Sequence, residues 1–250
     1  MERSFLKVAE GIRCLRVPYE NIDTGVFLVE DDIPVVIDCA TTAEDVDQWI
    51  LPALAQQGID GGSRGYLLVT HKHGDHAGGR PRLLEALPGF TAVTLSDGME
   101  LGSLTAVALP GHSDDSTAYL DRRTGTLISG DCLQFYGVGR YGCIVADVAA
   151  YEKSLERAAG MELWGLLPAH NYVGGKAVAT GADEVAAMVA AARQSWAEIR
   201  AFVETLPEEV TDPEDGQKLY VETYPQMPPL SLHTIRAVWA NMGRTNCCGG

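Results

Sequence analysis

An α/β protein made of two strand-and-helix rounds, followed by a helical C-terminal extension, is the fold this 250-residue sequence predicts. Three observations carry that expectation. Short β-branched runs bounded by Gly, Pro or Asp alternate with stretches of helical periodicity, and they do so twice. The strand signals then stop near residue 180, and an Ala-rich helical pattern replaces them.

The first round opens with a strand near residues 11–17 and a hairpin running from 25–29 into 34–37, both rich in Val, Ile and Leu. A helix is expected over 42–57, because Val46, Trp49, Ile50 and Leu54 recur at helical spacing and Gly58 can end it. An apolar strand at 66–70 follows, and then a second helix over 75–86. The segments 91–95, 104–109, 117–121 and 126–129 favour β structure and are read as strands of a second sheet. A helix over 147–159 and a strand at 163–167 close this round.

Residues 1–180 are therefore expected to form the main domain, and 181–250 the extension. The extension should hold a helix over 183–205, a polar Pro-containing connection and a last helix over 230–242. It has too few large apolar residues to fold alone, so it is expected to pack on the same domain. The tail with Cys247 and Cys248 is expected to be mobile, although paired thiols could also bind metal or form an intermolecular disulfide.

Composition excludes several classes of function. Nineteen basic against 34 acidic residues give a net charge of -15, and no run of Lys and Arg relieves it, so no nucleic-acid partner is expected. No apolar stretch is long enough for a membrane span, and residues 1–7 show no signal-peptide pattern. The six cysteines show neither paired CxxC spacing nor a short secreted framework, which fits reduced thiols. The expectation is a cytoplasmic protein with a small-molecule substrate; a homodimer is left open.

The densest chemical signal is His71-Lys72-His73-Gly74-Asp75-His76, directly after the strand at 66–70. Imidazole and carboxylate are donors that hold zinc or a similar divalent ion, and the spacing of His71 and His73 does not fit one helical face. These ligands belong at a strand end and in the loop beyond it. Three more candidates also follow strand-like segments: His112, Asp131 and His170. Loops at one edge of a scaffold can converge on a single site, and a neighbouring glycine permits close backbone approach. Of six histidines only His233 falls outside this set.

With these residues in place the chain resembles the metallo-β-lactamase superfamily of binuclear metallohydrolases, whose HxHxDH motif is matched by His71, His73, Asp75 and His76. The resemblance covers roughly residues 11–175. It implies a four-layer αββα sandwich with the metals at one edge of the sheets. It implies further that His71, His73 and His112 hold one ion, that Asp75, His76 and His170 hold the other, and that Asp131 bridges the two. Asp75 and Asp131 are the expected catalytic carboxylates, with a hydroxide held between the ions as nucleophile. Zinc is the first choice of metal; iron and manganese accept the same donors. Asp38, after the strand at 34–37, is expected either to orient a ligating imidazole from behind or to hold a turn or helix cap.

Residues 130–140, GDCLQFYGVGR, resemble the loop of glyoxalase-II-like hydrolases that carries the bridging aspartate. By that resemblance Tyr136, Arg140 and Tyr141 would line the substrate pocket. Gln134 departs from the apolar residue often found there, and no basic cluster for glutathione follows His170. An ester, thioester or lactone hydrolase is therefore expected rather than a glutathione-specific one. The alternatives are a phosphodiesterase or nuclease on the same site, a mononuclear iron persulfide dioxygenase, and a non-catalytic metal-binding or sensory protein.

Overall fold

The computed structural model describes residues 3–244. The chain begins with the strands β1 (Leu6–Ala9), β2 (Ile12–Tyr19), β3 (Ile22–Val29) and β4 (Val35–Ile37). Helix α1 (Ala43–Asp45), a π-helical stretch (Val46–Ile50) and α2 (Leu51–Gln56) lead to β5 (Gly65–Leu68). Next come α3 (Gly74–Ala77), α4 (Arg80–Ala86), β6 (Phe90–Ala92), β7 (Glu100–Leu101), β8 (Leu104–Ala108), β9 (Thr117–Asp121) and β10 (Thr126–Gly130). The remainder is β11 (Gly137–Val138), β12 (Tyr141–Gly142), α5 (Val148–Ala159), β13 (Gly165–Pro168), β14 (Ala179–Thr180), α6 (Ala182–Glu204), α7 (Pro213–Thr223) and α8 (Leu232–Asn241).

Two six-stranded sheets follow from this order. The first runs β1-β2-β3-β4-β5-β6, antiparallel up to β4 and parallel from β4 to β6. The second runs β14-β13-β10-β9-β8-β7, with β10 and β13 parallel and the other pairs antiparallel. Because side chains alternate along a strand, each sheet feeds two cores. On β4, Val36 faces a core shared with Ile50, Leu54 and Leu83 of the helices, whereas Val35 and Ile37 face the second sheet. Phe27, Ile37 and Leu68 meet Tyr119, Ile128 and Leu167 between the sheets. On the far side, Leu127 and Leu166 pack against Tyr151, Val189, Trp196 and Trp239. The result is a four-layer αββα sandwich whose last layer includes α6–α8.

Several local details differ from the sequence-based expectation. The expected helix over 42–57 forms with a π-helical stretch in its middle, where the Leu51 N–H donates to Val46 O. Pro52 has no N–H to continue the α ladder at that point, and the wider turn absorbs the gap. Thr42 starts the helix with a capping box closed by Asp45. The expected helix over 75–86 splits into α3 and α4 at Gly78-Gly79. A β-carbon on Gly78 would overlap Thr41 O, and one on Gly79 would overlap Cys39 O, so the split lets α4 press against the loop after β4. Strand β6, expected in the second sheet, pairs instead with β5 in the first. The polar stretch expected to be a plain connection contains α7, started by Pro213 in its first turn and by the side chain of Asp212, which accepts from Glu214 N–H. The tail with Cys247 and Cys248 lies outside the described residues.

Replacing Gly79 by Ala should destabilise the protein by about 1–3 kcal/mol, the usual range for overpacking. Gly74→Ala, where an added β-carbon meets nothing within 4 Å, should cost far less. Chemical denaturation of both variants checks the contrast.

Candidate active site

The ligand cluster sits where four strands end. Asp38 follows β4, His71 follows β5, Asp131 follows β10 and His170 follows β13, so the carboxyl ends of both parallel strand pairs point to one edge. His112 enters from the loop after β8. Two glycines make that edge tight: Gly130 has φ +52 and presses against Thr70, and Gly111 has φ +128 and presses against Tyr151. Larger residues would be both strained and obstructed there.

Seven side chains converge. His71, His73 and His112 form one group, Asp75, His76 and His170 another, and His71, His76 and Asp131 a third that joins them. His112 Nε2 lies 3.1 Å from His71 Nε2 and 2.9 Å from His73 Nδ1. Asp131 Oδ2 lies 3.5 Å from His112 Nε2 and 3.6 Å from His76 Nε2, while its Oδ1 lies 3.3 Å from His170 Nε2. Asp75 Oδ2 is 3.4 Å from His76 Nε2 and 3.3 Å from His170 Nε2. Asp131 therefore stands between the two outer groups.

The far edges of the rings are held by oxygen. Asp38 is fully buried at φ +65, and its Oδ2 lies 2.8 Å from His76 Nδ1. Its Oδ1 accepts from the Thr70 N–H at 2.7 Å, and the Thr70 hydroxyl donates to the same carboxylate. His71 Nδ1 rests 3.2 Å from Thr70 Oγ1, His112 Nδ1 lies 2.9 Å from Ile144 O and His170 Nδ1 lies 2.7 Å from Asp23 O. Tyr172 donates to Asp131 Oδ1 at 2.7 Å. Of these supports only Asp38 is marked by the sequence. Tyr172 sits two residues past His170 in the same loop, and that proximity was the available signal.

Electrostatics divides the site in two. Burial, with His76, His112 and His73 crowded nearby, pushes His71 down to about 2 against the pull of Asp131. Burial likewise lowers His112. Burial thus biases both rings toward the neutral form, which can present a lone pair. On the other side burial opposes the charge on His170, but Asp131 and Asp75 outweigh it and raise the ring to about 9. Burial also works against ionisation of Asp75, yet contact with His170 and His76 holds its carboxyl well below the usual range.

This donor set fits metal. His76 Nε2 is buried without a hydrogen-bond partner although carboxylates surround it, and three imidazole nitrogens point at one another at hydrogen-bond distance. Divalent ions satisfy such nitrogen and oxygen groups, and oriented second partners on each imidazole are the usual accompaniment.

Above the ligands lies a cavity of about 150 Å³, floored by His73, Asp75, His112, Asp131 and His170 and walled by Tyr19, Ile22, Val138, Tyr141, Ile144 and Tyr172. Tyr141 thus lies on the cavity wall, stacked on Tyr19 at 6.3 Å and donating to Glu20 at 2.6 Å. Arg140 stands at the rim, 62% exposed, in an ion pair with Glu20. Tyr136 is placed elsewhere. Its hydroxyl donates to Glu198 on α6, so it ties the loop to the helical layer and is not on the cavity wall. Exposed His233, at the start of α8, is also off that wall.

Removing the Asp38 carboxylate should loosen the group around His76. In Asp38→Ala, affinity for an added divalent ion, measured by chelator competition, should fall about 10–100-fold, the range for lost supporting partners. An unchanged affinity would show that His76 needs no such support.

Comparison with known proteins agrees with the geometry. The metallo-beta-lactamase superfamily profile matches residues 24–89. A lactamase-like protein, aptB, of Emericella nidulans is 29% identical over 150 residues, covering 53% of this chain and 46% of that protein. A hydroxyacylglutathione hydrolase of Francisella philomiragia is 30% identical over 125 residues, covering 42% and 49% respectively. The chain thus spans about half the length of these curated relatives. Among solved structures, a metallo-beta-lactamase family protein from Thermus thermophilus superposes with a TM-score of 0.65 at 18% identity, covering 95% of this chain and 94% of that one. A beta-lactamase domain protein from Burkholderia ambifaria gives 0.65 at 19% identity, covering 96% and 90%. The profile match over residues 24–89, these relatives and the shared four-layer fold together make the chain similar to proteins of the metallo-β-lactamase superfamily.

Proposed function

We propose that the protein is a binuclear metal-dependent hydrolase that cleaves an ester, thioester or lactone bond of a small molecule. The observation that carries this reading is the division of seven buried or half-buried ligands into two groups with Asp131 between them, at the floor of a small tyrosine-walled cavity. His71, His73 and His112 would hold one ion, and Asp75, His76 and His170 the other; zinc is the preferred metal for this set, with iron or manganese as substitutes. When bound, the ions supply Lewis acidity toward a carbonyl oxygen and lower the pKa of water toward neutrality.

The chain's own residues do the rest. Asp75 is half-buried and lies on the cavity floor, where its carboxylate can accept a hydrogen bond from the attacking water and orient it. Tyr172 holds the rotamer of Asp131. Tyr19, Ile22, Val138 and Tyr141 offer an apolar wall for the acyl side of the substrate, and the cavity volume suits a small group.

Nucleic acid is a poor substrate for a chain of net charge -15. No described helix is long and apolar enough to cross a membrane. A cytoplasmic setting is proposed because Cys14, Cys39, Cys132 and Cys143 are buried free thiols.

Asp131→Ala should reduce bound metal and abolish hydrolysis, measured by elemental analysis beside a panel of thioesters, lactones, β-lactams and phosphodiesters. Full turnover by that variant after chelation would refute the reading. Iron near one per chain with oxygen uptake on a thiol-linked substrate would replace it with a dioxygenase.

A further inference from the structure

We infer that Thr234, on the C-terminal helix α8, is a positioning residue for the His71, His73 and His112 group, acting through the backbone of Ile144. The inference rests on reading that group as a metal site. Thr234 is fully buried, and its hydroxyl is committed to the loop after β12. It donates to Cys143 O at 2.6 Å and accepts from the Val145 N–H at 2.9 Å, so it clips the backbone on both sides of Ile144. The helix does not use it as a cap, because Ser231 already accepts from the His233 N–H. The contact is close along its length: a β-carbon on Gly142 would overlap Pro229 O and lie 2.9 Å from both Leu230 Cα and Ser231 N.

Ile144 decides which nitrogen of His112 is free. Two neighbours with opposite demands meet His112 Nδ1: the Ile144 carbonyl oxygen at 2.9 Å, which takes a hydrogen bond, and Gln134 Nε2 at 2.6 Å, which gives one. The Gln134 amide cannot turn over to resolve this, since its Oε1 accepts from the Ile144 N–H at 2.6 Å. The carbonyl is the acceptor that favours a proton on Nδ1, the tautomer in which Nε2 offers its lone pair toward His71 and His73. If the carbonyl withdraws, Gln134 becomes the remaining partner of Nδ1. The tautomer with its proton on Nε2 is then favoured, and that proton must be displaced before Nε2 can ligate. The Thr234 clip holds the carbonyl where the ligating tautomer is favoured.

The test uses Co²⁺ as the probe, added to the metal-free protein. Thr234→Val should weaken Co²⁺ binding about tenfold or more, as loss of a ligand's supporting partners does, alter the visible absorption of the bound ion, and lower kcat with KM unchanged. In the metal-free state its His112 ring nitrogen shifts should move toward the Nε2–H tautomer. Thr234→Ser keeps the hydroxyl and should restore all of these. Ser231→Ala removes only the helix cap and should leave the spectrum as in wild type. In wild-type protein, amide exchange at Val145 should slow when Co²⁺ binds, a readout that does not depend on how well any variant folds. Wild-type affinity and spectrum in Thr234→Val would overturn the inference, as would equal disturbance by Ser231→Ala or unchanged Val145 exchange. Failure of wild-type protein to take up Co²⁺ would instead overturn the metal reading itself.

Discussion

A single buried carboxylate ties the fold to the site. Asp38 lies between the ends of β4 and β5, without exposure, and its two oxygens serve the Thr70 backbone, the Thr70 hydroxyl and the His76 ring. An isolated charge at that depth would be strongly unfavourable. Three donors around it make the position tenable, and the same donors fix where the segment 70–76 leaves the sheet. The positive φ of Asp38 belongs to this arrangement, because the chain must turn sharply after β4 for the carboxylate to face inward. The strand end, the ligand loop and the orientation of one imidazole are thus one constraint.

The second sheet completes what the first begins. Tyr119 on β9 donates to Val69 O, and the Thr117 N–H donates to Thr70 O, so the ligand loop of one sheet is stitched to a strand of the other. Asp131 and His170 arrive on adjacent parallel strands, and the Gly25 N–H donates to Ala169 O across the interface. The helical layer closes the remaining side. Trp196, Ile235 and Trp239 share a core with the second sheet, and α8 reaches the loop that contacts His112. The C-terminal helices are therefore part of the site's support as well as a cover for the sheet.

The seven candidate ligands could be picked out in the sequence because few residue types can do that chemistry, and the structure brings them together because their order along the chain mirrors the strand ends that carry them. The strands and most helices were legible through their periodicity. What escaped depended on path and on contact rather than on pattern. Sheet membership of β6 is set by which neighbour the chain returns beside, and a three-residue strand carries no signal of that. The break at Gly78-Gly79 reflects the approach of backbone at Thr41 and Cys39, invisible in a helical pattern. Tyr136 and Tyr141 stand in one loop with similar surroundings in sequence, yet one turns to Glu198 and the other to the cavity. Thr234 is a single hydroxyl in an ordinary amphipathic helix.

The pairing of Arg140 and Tyr141 with Glu20 gives the molecule a gradient of rigidity. The floor of the cavity is fastened by groups shut away from solvent, whereas its entrance is fastened by an exposed ion pair and an exposed hydroxyl. Exposed pairs contribute only about 0–1 kcal/mol and weaken further in salt. The turn at Glu20 and the hairpin of β11 and β12 are thus joined by contacts that solvent and salt can loosen, while the contacts beneath the floor are shielded from both. Movement at the rim is thereby uncoupled from the geometry of the floor.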